Sequence, residues 1–499
     1  MASFRFTKIK LKESLERLPM LKVLVPIVCG IIFSQYCALP LWFTILGALL
    51  CGLLSIILSS SLYTLMLLFL GGITALELTL QSPTPPLNKL LIAELHLEDE
   101  PIKRDSFSSA HSQLEAWCDR GGEWHPAAGH LTLYIDSTLQ LKRGDRLTIR
   151  TRIRPLTTKY PSYTTLMRSR GFIGSANISK SGVLDSSTNP HKSLSQRLEE
   201  WAESRLLRLE LKPENRAIVH AMSIGERRLI TKSQREEYAR SGTSHLLAVS
   251  GLHVGVLFTL MNILLFSLPL LRRGHLLRSL IVIIVIWLYA LMTGMSASVM
   301  RAAAMFTALQ LSMLFTTDYR GLNTLFSVGC IMLLLNPNLL FDVSFQLSFV
   351  AVMAILSMAA PLLMRFKGGF WRWLWGTILI SLCATLATAP LTSHHFSLIS
   401  IGGILINPVV IFTAQLIVAL SLVWILLPIG WLSTPLSWCI DSLASLQNLV
   451  VEITSQWSWC AVEFHSTTAL TLTIYALFIA ITLLVWGLEE KKSIHLQSE

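Results

Sequence analysis

A dozen apolar runs dominate this chain, and most come near the ~20 residues a helix needs to cross a bilayer. They lie near 20–38, 40–59 and 62–80, then near 243–268, 276–293, 296–316, 321–335, 340–363, 373–391, 401–428, 435–456 and 467–487. Such a chain has few folds open to it, because hydrocarbon tolerates only helices and closed barrels. Of 499 residues 52% are hydrophobic and only 14% charged, against ~25% charged in soluble domains. The expected class is a polytopic α-helical membrane protein of about 11–12 spans.

Charge placement orients the runs. The arm 1–18 carries Arg5, Lys8, Lys10, Lys12 and Arg17 against Glu13 and Glu16, so it is expected to stay in the cytoplasm. Three apolar runs follow it, which argues against a cleaved signal peptide. Three crossings then put the next segment outside. Basic residues return in alternate connections, at Arg272, Arg273 and Arg278, at Arg320, and at Arg365, Lys367 and Arg372. With those inside, the run at 243–268 enters from the outer face. Parity then requires 435–456 to cross in spite of Asp441 and Glu452. The alternative is that 435–456 lies flat and Asn407-Pro408 breaks 401–428 into two passes. The net charge of +11 is in part this loop asymmetry, so it is only partial support for a polyanionic ligand.

The outer segment, 81–190, begins with the stiff linker Ser82-Pro83-Thr84-Pro85-Pro86. Short β-like runs follow near 89–97, 111–117, 129–135, 146–154 and 171–179, which suggests a small barrel or sandwich, an OB-like barrel being one option. In the run 146–154 period-two alternation puts Arg146, Thr148, Arg150, Arg152 and Arg154 on one face, over Leu147, Ile149 and Ile153. Guanidinium groups at that pitch could follow a phosphate backbone, with Lys142, Arg143, Lys159, Arg168 and Arg170 extending the excess. A solvated face, or one resting on acidic headgroups, fits the same pattern. Residues 191–242 read as a helical connector. Its first helix, 191–211, is amphipathic, with Leu194, Leu198, Trp201, Leu206 and Leu209 along one stripe. Pro213 suits the start of a further helix, a turn follows at 225–228, and another helix is expected at 231–240.

The polar residues inside the membrane segments are unusual. Thr243-Ser244-His245-Leu246-Leu247-Ala248-Val249-Ser250-Gly251-Leu252-His253-Val254-Gly255 packs two histidines and several small residues into the first half of one apolar run. Either the small residues let helices approach, or this half-helix lines a polar passage. Arg301 and Asp342 fall at similar depth on the outer side, with Gln346 one turn beyond Asp342, so an ion pair between them is expected. Snorkelling by Arg301 and helix capping by Asp342 explain the same positions. Ser250 and His253 have no nearby carboxylate to complete a triad. There is no His-Glu-x-x-His, no Gly-x-x-x-x-Gly-Lys-Ser/Thr and no Cys-x-x-Cys, so neither a metal, a cofactor nor an enzyme activity is expected. Of the eight cysteines only Cys118 lies in the outer segment 81–190.

The segment 242–255 resembles the signature of the ComEC family of competence proteins, which serve as inner-membrane channels for DNA uptake in bacterial transformation. Gly225-Glu226-Arg227 fits the same family. So do Leu291-Met292-Thr293-Gly294 with Ser298 and Arg301-Ala302, and Asn336-Pro337 through Asp342 with Phe345-Gln346-Leu347-Ser348-Phe349. Ala389-Pro390-Leu391 with His395-Phe396, and Asn407-Pro408, follow in order. The outer segment, including Leu166-Met167-Arg168-Ser169-Arg170-Gly171-Phe172-Ile173, resembles the family's external OB-like, DNA-binding domain. Three residues depart from the usual pattern: Glu226 and Asn336 stand where Asp is usual, and Ser344 where Gly is usual. With Cys118 alone, a disulfide found in some relatives cannot form. The chain has no His-x-His-x-Asp-His motif, so it looks like a form without the C-terminal metallo-β-lactamase-like domain.

The resemblance implies a competence-type core at 243–430, preceded by 1–80 and followed by membrane helices at 431–499. His245, Ser250, Gly251, His253, Gly255, Arg301, Asp342 and Gln346 would line or brace the passage. Arg146, Arg150, Arg152, Arg154, Lys142 and Arg143 would bind single-stranded DNA. Membrane lipids, a separate cytoplasmic motor, a separate nuclease and a second copy of the chain are the implied partners. The rival readings are a small-molecule or lipid transporter, and an intramembrane hydrolase using Ser250 or His253.

Overall fold

The computed structural model describes residues 18–477, except 38, 59–60, 81–84, 104–106, 120–121, 128, 157–163, 165–166, 168–170, 188–192, 271–272, 316–319, 364–367 and 428. The basic N-terminal arm, Lys159, Arg168, Arg170, Arg272, Arg365, Lys367 and the end of the last expected span lie outside the described residues. The chain forms two compact units, one of residues 25–194 with 332–342, the other of the remainder.

The first unit opens with helices α1 (Pro19–Tyr36), α2 (Leu41–Leu58) and α3 (Ser61–Leu80). Helices α1 and α3 touch backbone to backbone. A Cβ on Gly30 would collide with the Phe69 carbonyl, and one on Gly72 with the Ile27 carbonyl. Small residues of this kind let apolar helices gain contact area where lipid offers no hydrophobic drive. The one acid of α3, Glu77, accepts from Ser34 Oγ at 2.9 Å.

The β-domain follows, with β1 (Leu90–Leu97), β2 (Ile102–Lys103), β3 (Phe107–Cys118), β4 (Trp124–Pro126), β5 (His130–Asp136), β6 (Arg146–Arg152), β7 (Phe172–Ile178) and β8 (Val183–Ser187). The order is β7-β5-β3-β1-β6-β8, with β2 and β4 on β3. All named pairings are antiparallel except β5 with β7. Alternation places Leu91, Ala93, Leu95, Leu97, Leu131, Leu133, Leu147 and Ile149 in one core, as period-two patterning requires. Among the described residues the sheet is curled rather than closed. A single bridge, Arg154 to Ser175, brings the end of β6 to β7. Gly174 permits that approach, since a Cβ there would stand 2.6 Å from the Arg154 carbonyl oxygen. The closed barrel expected from strand count is therefore present only as this open form.

The second unit starts with α4 (Leu194–Leu206), α5 (Pro213–Ile224) and α6 (Lys232–Arg240). On α4 only part of the expected stripe is covered: Leu206 is buried, whereas Leu194 and Trp201 are exposed. The membrane helices are α7 (Gly251–Leu264), α8 (Gly274–Met292), α9 (Ala297–Phe315), α10 (Gly321–Leu335) and α11 (Val343–Ala354), the last extended by a π turn through Ile355–Ala359. Then come α12 (Phe370–Phe396), α13 (Gly403–Leu426), α14 (Ser433–Ser455) and α15 (Thr468–Leu477). Two short strands, β9 (Leu398–Ser400) and β10 (Ala461–Glu463), pair outside the helices.

Seven described helices are long and apolar enough to cross a membrane: α1, α3, α8, α9, α11 with its extension, α12 and α13. Four more are apolar but shorter: α2, α7, α10 and α15. Helix α13 runs unbroken through Asn407-Pro408, so the two-pass alternative for 401–428 falls. Pro408 sits in the second turn, where it costs one hydrogen bond rather than a helix. The run 435–456 lies in the single helix α14 as far as Ser455, but α14 is not among the apolar crossing helices. Its polar face is used inside the unit.

Candidate functional site

The run 243–268 is not one helix. Residues Ser244–Leu247 form a short 3-10 turn, Ala248 is extended at φ −129° and ψ 146°, and α7 begins only at Gly251. Ser250, extended at φ −114° and ψ 169°, is the residue before the first turn. Its N–H donates to His253 Nδ1 at 3.2 Å. An accepting Nδ1 places the proton of the neutral ring on Nε2. His253 is 0% exposed, and its Nε2 has no hydrogen-bond partner among the described residues, nor has Ser250 Oγ. His245, by contrast, is exposed.

Helix α9 closes on this turn. A Cβ on Gly251 would stand 3.3 Å from Ala302 Cβ and 3.4 Å from Arg301 Nη2, and one on Gly255 would stand 3.1 Å from the Phe306 ring. The two glycines, four apart, thus form the small-residue face that admits α9. Arg301 is 5% exposed, and its Nε and Nη1 have no hydrogen-bond partner among the described residues. Asp342 is buried too, but it falls in the first unit. Gln346 is half-buried on α11.

The other polar blocks of the second unit gather nearby. Gly225, left-handed at φ 83°, ends α5 with its Cα side 3.5 Å from Val249 and 3.6 Å from the Thr293 carbonyl, measured from an added Cβ. The Glu226 carboxylate takes the Arg228 N–H at 2.6 Å and Nε at 2.7 Å. Burial pushes its pKa up, but these bonds outweigh burial and hold it below the ordinary glutamate value. Gly294 and Met295 turn through left-handed φ of 81° and 53°; the second is unusual for a side chain of that size. Ser298 receives the Ser348 hydroxyl at 3.1 Å, tying α9 to α11. Gly242 abuts Ser400 and Gly403. The blocks 225–228, 242–255, 293–301 and 400–403, scattered in sequence, therefore converge.

The basic strand is arranged as its alternation requires. Arg146, Arg150 and Arg152 are exposed on β6, Arg154 is exposed beyond its end and Lys142 in the turn before it, while Arg143 is half-buried. The row is not purely basic, however. Arg146 Nη2 is 3.3 Å from Glu115 Oε1, and Thr148 is flanked in register by Glu94 on β1 and Asp185 on β8. The open positive stretch is Arg150, Arg152 and Arg154. On β5, His130 Nδ1 meets Glu98 at 2.9 Å and the ring packs on Phe172, ring centres 5.4 Å apart.

Sequence reasoning passed over a polar seam that joins α5 and α6 to α14. Asp441 Oδ1 accepts from the Lys212 N–H at 3.0 Å and from Asn215 Nδ2 at 2.8 Å, so it holds the first turn of α5. Asn215 Nδ2 also reaches Ser445 at 2.8 Å, and Asn448 Nδ2 donates to Asn215 Oδ1 at 2.9 Å. Tyr238 donates to Asn448 at 2.8 Å and accepts from Gln447 at 3.1 Å. The signal was there to find: Ser437, Asp441, Ser445 and Asn448 share one face of α14.

Among the described residues no group of three or more His, Cys, Asp or Glu could hold a metal ion. The family model for competence proteins matches residues 222–489, more than half of the chain and all the converging blocks of the second unit. The chain belongs to the competence protein family. Among its relatives, ComE operon protein 3 of Bacillus subtilis (strain 168) is 30% identical over 197 residues, 40% of this chain and 24% of that protein. An uncharacterized protein of Aquifex aeolicus (strain VF5) is 33% identical over 211 residues, 42% of this chain and 48% of that protein. The chain thus matches about a quarter and about half of the lengths of these two relatives. No solved structure matches it.

Proposed function

We propose that the protein is a conduit in the inner membrane that passes single-stranded DNA into the cytoplasm during natural transformation, and that it is not an enzyme. The observation that carries this reading is the convergence of the family's blocks on buried donors without acceptors, Ser250, His253 and Arg301. Such groups are expensive within a membrane unless a polar cargo or water meets them. His245, Gly251, Gly255 and Gln346 would line or brace the same route, and Asp342 of the first unit would have a bracing role of its own.

In this reading the β-domain lies outside and is OB-like. Its strand order, with β5 parallel to β7 and the end of β6 bridged to β7, is the path such a barrel would follow if it closed. Arg150, Arg152 and Arg154 hold the strand's phosphates, with Lys142, Arg143 and Arg146 at the margin. Capture of this kind weakens steeply with salt. A separate cytoplasmic motor would drive transfer and a separate nuclease would remove the other strand, with membrane lipids and a second copy of the chain as further partners.

The test is uptake of labelled DNA into the cytoplasm of a transformable host lacking its own family member. Supplying this chain should restore uptake, and supplying it with Arg301→Met should not. Full uptake without the chain would overturn the reading.

A further inference from the structure

We propose that the first turn of α7 and the Arg301 guanidinium form a binding site for a phosphate oxyanion. The inference rests on the conduit reading only for the source of the phosphate, not for the site itself. Because His253 Nδ1 accepts the Ser250 N–H, Nε2 must carry the ring proton in the neutral form. Arg301 Nε and Nη1 can only donate. Ser250 Oγ carries a third kind of donor. All four atoms are buried, and all four lack a partner among the described residues.

Ser250 and His253 belong to the first turn of α7, and Arg301 reaches the glycine between them. Gly251 opens α7, and Arg301 Nη2 lies 3.4 Å from where its Cβ would be. A helix of 14 residues begins there, with Ser250 and His253 facing each other across its first turn, and the N–H groups of a helix start favour negative charge. The absence of a Cβ at Gly251 keeps the guanidinium against the helix end. A buried cation is ordinarily matched by a carboxylate, and no carboxylate is bonded to Nε or Nη1. What the arrangement lacks is an acceptor with several oxygens and a negative charge. A phosphate group supplies that and suits a guanidinium fork in particular.

The phosphate could belong to the phosphodiester of a DNA strand or to a lipid headgroup. Thermal unfolding of the full detergent-solubilised chain separates these sources and tests the site. Inorganic phosphate, against chloride at matched ionic strength, should raise the midpoint saturably, because a ligand of the folded state stabilises it. Arg301→Met should abolish that rise. Without phosphate the same variant should be as stable as the wild type or more so, since it removes an unmatched buried charge, and the order should reverse when phosphate is added.

An equal rise in both proteins would overturn the site. So would no rise at all, or a variant less stable without phosphate, because the guanidinium would then already have its acceptor in the chain. If Arg301→Met cannot be recovered folded, Ser250→Ala should raise the half-saturating phosphate concentration about threefold; an unchanged value would overturn the site. Short oligodeoxythymidylate and phosphatidylglycerol micelles identify the source. The one that reproduces the Arg301-dependent rise supplies the phosphate; a rise from neither overturns the proposal. Loss of uptake with the phosphate response retained would defeat only the conduit reading.

Discussion

Two buried polar regions of the second unit are built from similar residues and differ in one respect. In the seam between α5, α6 and α14, Asn215, Asp441, Ser445, Gln447, Asn448 and Tyr238 bond to one another. At the start of α7, Ser250 Oγ, His253 Nε2 and two nitrogens of Arg301 bond to nothing among the described residues. A saturated network gives its worth to folding, because every group removed from water has a replacement partner. A set of unmatched donors withholds stability until something binds. The two regions teach that buried polarity alone does not mark a functional site; the balance of donors and acceptors does.

The largest effect that sharpens the contrast is expected in the seam. Asn215→Leu would leave Asp441, Ser445 and Asn448 each short of a partner, at a cost of about 3 kcal/mol or more. The yield of monodisperse protein and its thermal midpoint should both collapse. Arg301→Met is the opposite case: the midpoint should hold or rise while DNA uptake falls at least about tenfold, a barrier change of about 1.4 kcal/mol. If both variants lose stability alike, the distinction fails. Gly255→Ala is intermediate. Its Cβ would meet the Phe306 ring at 3.1 Å, and overpacking of this order costs about 1 kcal/mol, which should lower the midpoint by a few degrees and uptake in proportion.

Much of this was legible in the chain, for reasons that particular residues show. The β-domain could be read because Leu147 and Ile149 alternate with Arg146, Arg150 and Arg152, and one face of a sheet must be apolar. The long helices could be read because lipid filters composition. The break at Ala248 could not be, because hydropathy averages over a run and is blind to a backbone that leaves the helix for three residues. Helix α14 was hard to read for the converse reason. A charge such as Asp441 counts against a crossing, yet its partners, the Lys212 N–H and Asn215, lie more than two hundred residues away and no local pattern announces them. The convergence of Gly225, Val249, Gly251 and Arg301 is likewise a tertiary fact.

The same contrast extends to the β-domain on a smaller scale. Arg146 is matched by Glu115, while Arg150 and Arg152 face open solvent. Arg150→Glu with Arg152→Glu should therefore remove most of the salt-dependent binding of single-stranded DNA, and Arg146→Glu much less. Equal losses would mean that the whole row, matched or not, follows the strand.

The smallest effect belongs to His130, whose pKa is raised from 6.5 by its hydrogen bond to Glu98, against the opposing pull of burial. The sign follows from linkage. A pKa higher in the folded chain than in the unfolded one means that the folded state holds its proton longer, so the contribution is complete below 6.5 and is lost as pH rises through the folded value. Hydrogen exchange of β5 amides in the full chain should therefore quicken, beyond the chemical pH dependence of exchange, just above that window. His130→Gln should remove this excess and leave the response of α7 amides unchanged. The pair is a third exposed, and solvent screens it, so the effect should be slight even though both partners are matched. An excess as large as that expected for the Asn215 seam would show that saturation, without burial, is enough to stabilise, and the lesson drawn from α14 would have to be restated for exposed pairs.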